Sequence, residues 1–235
     1  MSENPAMTTM IDGLTATLAG ALGLSRRQVD ETAGHQREAG MLAEADAPAT
    51  AEHCSALLFG VMRAPDPERS PEMVRLYCEL PLERVTRSEV FANGQVEFLD
   101  VPGDDPLVDD CRMLGDSLGE FLTHLIRCYA FADEMNIRPG RIVLCGGLGN
   151  AAAMIELSAE VDGSDIGGTV HFSMVGGGCR PDDAPRARLD QNPSVPAEIF
   201  QVFREFLAGE PEGPREVALV HDGAGGDWQA GGRGR

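Results

Sequence analysis

The sequence predicts an α+β protein, with a helical N-terminal unit over residues 1–64 and a small mixed α/β domain over 113–208. Three observations carry this. Met10, Leu14, Leu18, Leu22, Val29 and Ala33 recur at helical spacing, as do apolar residues over 117–134. β-prone runs lie at 88–101, 141–147 and 152–176. The chain has 235 residues, 43% of them hydrophobic, which is enough to bury a core without disulfide crosslinks.

Each element follows from local signals. Residues 8–42 carry helical periodicity, and AEADAPAT (43–50) reads as a loop. Thr50 is placed to cap a helix whose apolar face carries Leu57, Leu58, Val61 and Met62, with Pro65 as its stop. The composition of APDPERSP (64–71) sets a domain boundary near 65. The segment 65–112 then holds a linker, a short helix at 72–80 and a hairpin turning at Asn93-Gly94. PGDDPLVDD (102–110) is expected as an acidic loop. A helix over 117–134 gathers Leu118, Phe121, Leu122, Leu125, Ile126 and Tyr129 on one face. RIVLCGG reads as a strand, residues 152–176 as two strands across the turn GSDIGG, and 196–208 as a helix. The Pro/Gly-rich stretch 209–235 is expected to be a mobile tail.

TATLAGALGLSRRQVDETAG (15–34) has the spacing of a helix-turn-helix. Leu18 and Leu22 face the core, Ala19 is small where the second helix crosses, and Gly23 supplies the turn. Leu24 plugs the turn, Ser25 caps the next helix and Val29 anchors it, while Thr32 stands where an apolar residue is usual. HQREAGMLAEAD then reads as the end of a recognition helix entering a wing, closed at Gly40 with Met41–Leu42 dropping into the core. The alternative is an ordinary helical hairpin. In a winged helix-turn-helix domain, Ser25, Arg26, Arg27 and Gln28 would point at the major groove of duplex DNA, where Arg and Gln read G and A edges.

Charge makes such a contact rest on the local motif and not on bulk electrostatics. All 19 basic residues are arginine against 38 acidic ones, a formal net charge of −19, whereas proteins that hold nucleic-acid backbone are usually basic. Residues 1–64 have four arginines and eight acids, so this unit is no exception. The competing expectation is an acidic interaction module or DNA mimic that seeks a basic protein.

LAGALGLSRRQV…REAGML, ATAEHCSALLFGVM, GDSLGEFLTHLI and RIVLCGGLGNAAAMIELSAEVDGSDIGGTVHFS together resemble a group of uncharacterised prophage-encoded proteins of GC-rich bacteria, over roughly 10–208. The resemblance implies a winged-helix N-terminus, a small α/β C-terminal domain and no known enzymatic activity. The chain departs from the pattern where AEADAPAT replaces a Gly/Arg-rich wing, which weakens the phosphate-contacting role of that wing.

Catalytic motifs have simpler explanations. Gly115-Asp116-Ser117-Leu118-Gly119 matches a G-x-S-x-G nucleophile elbow, but that motif needs a preceding strand, and Ser117 with Glu120 also makes an S-x-x-E capping box. GGLGNAA (146–152) is neither a complete phosphate loop nor a dinucleotide fingerprint, and reads as a tight turn. GDSLGEFLTHLIRCYAFADEMNIRPGRIVLCGGL also resembles the C-terminal helix-strand unit of fumarylacetoacetate hydrolase-type hydratases and decarboxylases, whose upstream metal-binding E-x-E is missing. A hydrolase or lyase around 115–150 is therefore the third alternative. Asp104-Asp105, Asp109-Asp110 and Asp182-Asp183 read as solvated loop pairs, and the five histidines form no H-x-x-x-H pair. No catalytic residue, cofactor or metal is expected. No apolar run reaches membrane-spanning length and the first residues lack a secretory signal pattern. The expected setting is therefore cytoplasmic, with six reduced cysteines. The expected function is a non-enzymatic, phage-type regulator or DNA-recognition factor whose winged helix contacts duplex DNA and whose C-terminal domain oligomerises or binds a partner, with a homo-oligomer as the expected assembly.

Overall fold

The computed structural model describes residues 10–64, 66–90, 96–131, 137–146, 150–161, 164–174 and 194–208. The expected tail at 209–235, the Asn93-Gly94 turn and the Asp182-Asp183 pair lie outside them. The first two helices are α1 (Ile11–Leu22) and α2 (Arg26–Glu38), followed by α3 (Ala51–Arg63) and, after a 3-10 turn at Pro67–Arg69, α4 (Ser70–Cys78). Thr50 caps α3 as expected, accepting from the His53 N–H, while His53 Nδ1 accepts from the Thr50 N–H at 3.2 Å. This is a capping box with histidine in the usual Glu or Gln position.

Six strands form one antiparallel sheet: β1 (Leu82–Val90), β2 (Val96–Asp100), β3 (Ile137–Cys145), β4 (Ala152–Val161), β5 (Ser164–Ser173) and β6 (Ser194–Val195), in the order β2-β1-β5-β4-β3-β6. The protein is thus α+β. β1 and β2 make the expected hairpin, with Val90 opposite Val96. Ser164–Gly168, expected within a turn, belongs to β5 instead. Gly167 and Gly168 lie opposite Ser88 and Arg87 of β1, and a Cβ on Gly167 would stand 2.4 Å from Ser88 Oγ. Bare backbone lets the strands approach there.

The stretch 102–110, expected as an acidic loop, contributes instead to α5 (Pro106–Leu114). Asp105 accepts from the Leu107 N–H at 2.9 Å as its cap, Pro106 occupies the first turn, and Val108, Cys111 and Leu114 turn inward. α6 (Leu118–Phe131) and α7 (Glu198–Leu207) complete the helices among the described residues. α6 buries Leu118, Phe121, Leu122, Leu125 and Ile126, and Phe121 meets Phe172 of β5 edge-on at 5.3 Å. Burying each such side chain stabilises the fold by about 1.5–3 kcal/mol.

One apolar cluster runs from Ile11 to Leu207, taking Val85, Ile142, Leu144, Ile155, Val170 and Phe172 from one sheet face. Val143, Cys145, Ala152 and Met154 form a small second cluster on the alternate, opposite face. The boundary expected near 65 falls inside the packed helical layer. Phe59 of α3 stacks on Tyr77 of α4 at 6.0 Å, and Ser55 lies 3.2 Å from Thr123 of α6. Met73, Val74, Tyr77 and Leu80, in and just after the expected short helix, are buried, Tyr77 fully.

A buried amide ties this layer together. Gln36 of α2 is fully buried, and its Nε2 donates to Ala56 O of α3 at 3.1 Å and to Ser70 Oγ of α4 at 2.6 Å. Its Oε1 has no hydrogen-bond partner among the described residues. Room for the amide comes from Gly60, where a Cβ would fall 2.0 Å from Gln36 Nε2 and 2.2 Å from Ser70 Oγ.

Candidate nucleic-acid interface

The expected recognition residues sit where α1 turns into α2. Gly23 ends α1 in the left-handed conformation, with φ 64° and ψ 27°, and the Leu24 N–H returns to Ala19 O at 2.9 Å. Ser25 Oγ accepts from the Gln28 N–H at 3.2 Å and so caps α2. Leu18, Val29 and Ala33 are fully buried, and Ala19 and Thr32 nearly so. Leu22 and Leu24 pack against the same core while partly exposed. Thr32 is thus buried despite its hydroxyl. Gly40 has a positive φ of 72° just past α2, and Leu42 is buried.

No wing follows α2. Residues 39–50 hold turns and one isolated bridge, Met10 to Pro48, rather than a strand pair. The backbone of this segment closes off the start of α1 instead. Ala47 O and Ala45 O accept from the Ile11 and Asp12 N–H groups, both at 3.1 Å. Met10 gives α1 no side-chain cap, so the loop satisfies two donors that a helix start otherwise leaves open.

Ser25, Arg26, Arg27 and Gln28 are all exposed on the first turn of α2, but the two arginines differ in their surroundings. Arg26 Nε donates to both oxygens of Asp30, at 2.7 and 2.9 Å. Its Nη2 reaches back to α1, bonding Asp12 Oδ1 at 2.6 Å and Asp12 O at 3.1 Å. Thr15, only 1% exposed, has its Oγ1 2.9 Å from both Asp30 Oδ1 and Asp12 O, and its single proton is shared between them. Among the described residues Arg27 has one partner, Glu31 Oε1 at 2.7 Å along the same helix, and its own side chain is 88% exposed. The hydrogen bond to Glu31, then its charge, raise the Arg27 pKa. The patch thus sets two arginines against three carboxylates. Sequence reasoning missed Asp12 and Thr15; the Arg26–Asp30 spacing of four was visible, but the partners on α1 depend on how the helices cross.

The other candidates are absorbed into the fold. Helix α5, not a strand, precedes Ser117, and Ser117 Oγ accepts from the Glu120 N–H at 3.4 Å. Gly146 has a φ of 70°, a Cβ there would fall 2.2 Å from Asn150 O, and Tyr77 donates to Cys145 O at 2.8 Å; residues 147–149 of the glycine-rich stretch lie outside the described residues. Asp109 lies 3.9 Å from Arg112. His35 lies 3.5 Å from Glu38, His124 Nδ1 lies 2.6 Å from Leu114 O, and buried His171 lies 3.2 Å from Thr86 Oγ1. Among the described residues, no three His, Cys, Asp or Glu side chains group as metal ligands would, and no helix is long and apolar enough to cross a membrane. Cys54, Cys78, Cys111 and Cys128 are thiols outside any disulfide, whereas Cys145 is disulfide-bonded, which departs from the expectation of six reduced cysteines. No family model, curated protein or solved structure matches the chain.

Proposed function

We propose that this protein is a non-enzymatic recognition factor whose α1–turn–α2 unit works as a wingless helix-turn-helix on duplex DNA. The observation that carries the reading is the exposed first turn of α2, with Arg27 and Gln28 held outward behind a left-handed Gly23 turn and a Ser25 cap. Side chains at this position of a second helix reach base edges in the major groove. The sheet with α6 and α7 serves as the oligomerising or partner-binding part, since readers of this kind commonly work as two-fold dimers. A cytoplasmic, phage-type regulator is the setting the sequence resemblance favours. The net charge of −19 gives such a reader weak non-specific affinity, so discrimination rests on few contacts.

A second reading has its own observation. Two arginines against three carboxylates leave the α1–α2 surface without positive excess, which favours docking to a basic protein. One experiment separates the two: binding to fragmented duplex DNA from the source genome at about 50 mM salt, with the Arg26→Ala/Arg27→Ala variant alongside. Selective binding lost in a variant that remains folded supports DNA recognition. Absence of binding by the native protein refutes it and leaves the docking reading.

A further inference from the structure

The two neighbouring arginines of α2 do different work, and the geometry points to Arg27, with Gln28, as the DNA reader, and to Arg26 as an internal staple between α1 and α2. This rests on the proposed DNA reading. Arg26 makes two contacts to Asp30 and two to Asp12, so its guanidinium is committed to both helices at once. Forked, charge-assisted bonds of this kind fix direction as well as distance. Thr15, 1% exposed, sits 2.9 Å from both Asp30 Oδ1 and Asp12 O, so the carboxylate lies against a buried hydroxyl of α1 at the helix crossing. Turning Arg26 toward a phosphate or a base would strand Asp12 and Asp30 beside the DNA, where their charge repels it.

Arg27 meets none of these conditions. Its one partner among the described residues is Glu31 on the same helix, and its side chain is 88% exposed. A guanidinium on that leash can exchange a carboxylate for a guanine edge or a phosphate without disturbing the crossing of α1 and α2. Glu31 then acts as the competitor, and removing its charge strengthens binding.

The test uses the full chain and a duplex fragment enriched from its own genome, read by fluorescence anisotropy, with a denaturation midpoint for every variant. Arg27→Ala is expected to weaken binding at least tenfold with an unchanged midpoint. Glu31→Gln is expected to tighten it several-fold. Arg26→Gln is expected to lower the midpoint while the folded protein keeps its affinity within about threefold. Asp30→Asn should lower the midpoint similarly, and the Arg26→Gln/Asp30→Asn pair should lower it little further, the signature of one shared contact. Arg26→Gln losing as much affinity as Arg27→Ala, at an unchanged midpoint, would overturn the division of labour. No binding by the native protein to any fragment would instead sink the DNA reading itself, and the role of Arg27 with it.

Discussion

Gly60→Ala tests whether the buried Gln36 amide holds the helical layer together. In an exposed helix this change is favourable by about 1 kcal/mol, because alanine is the better helix former. Here the new methyl falls 2.0 Å from Gln36 Nε2 and 2.2 Å from Ser70 Oγ, well inside contact distance. The serine hydroxyl can rotate, but the amide is fully buried between three helices and has nowhere to go. Expelling it breaks two hydrogen bonds worth about 1 kcal/mol each and adds about 1–3 kcal/mol of overpacking strain. Set against the helix gain, the net destabilisation is about 2–4 kcal/mol. Urea denaturation reads this as a lower midpoint. Gln36→Ala removes the obstacle, so in that background Gly60→Ala should cost far less, giving a coupling of at least about 1 kcal/mol. A Gly60→Ala protein as stable as the native one, or two effects that add within about 0.5 kcal/mol, would refute the packing argument.

Three other predictions concern single sites. Gly23→Ala forces a side chain into φ 64° and is expected to cost about 1–2 kcal/mol, measured by the same midpoint. Burial lowers the His53 pKa, against a smaller opposing effect of Glu52, and the ring must be neutral at Nδ1 to accept the Thr50 N–H. Because the folded pKa lies below the unfolded one, stability is full above the ordinary histidine value near 6.5 and falls as pH drops through the lowered folded value. His53→Gln keeps a capping side chain and should flatten that pH dependence in a series of denaturation midpoints; an equally steep decline would reject the assignment. Burial, then the charge of Asp110, push the Cys111 thiol up to about 12, so iodoacetamide should leave it unmodified in the native protein at pH 8 and label it after unfolding, as mass spectrometry of the peptides would report.

Much of the helical layer was legible because its signals are local. The Thr50 cap, the Gly23 turn and the α6 stripe each need only a few neighbouring residues, and each formed where the spacing placed it. The α5 miss was a matter of weight. Asp105-Pro106 is a helix start in sequence terms, but four aspartates within seven residues made the stretch look solvated. Strand order was out of reach, since β1 joins β5 rather than a sequence neighbour on its second side, and that pairing depends on register across some eighty residues. Gln36 looks like one more polar residue in a charged helix; only the crossing of α2 with Gly60 and Ser70 makes it interior. At the candidate interface the residue types were readable while their commitments were not. Nothing in SRRQ distinguishes an arginine tied to the preceding helix from one that is nearly free.

The contact between α1 and α7 bears on the order of events during synthesis. Phe206 packs where Gly13 leaves space, a Cβ there lying 3.3 Å from its ring, and Phe203 and Leu207 close the same apolar cluster. A ribosome releases α1 almost two hundred residues before it releases the helix that completes its covering. For most of translation, then, the N-terminal helices carry an unfinished apolar surface, and closure of the native core waits on the last described helix. A nascent chain halted before residue 198 should therefore be a substrate for chaperones, and a premature stop there should lower protein abundance even with residues 10–64 intact.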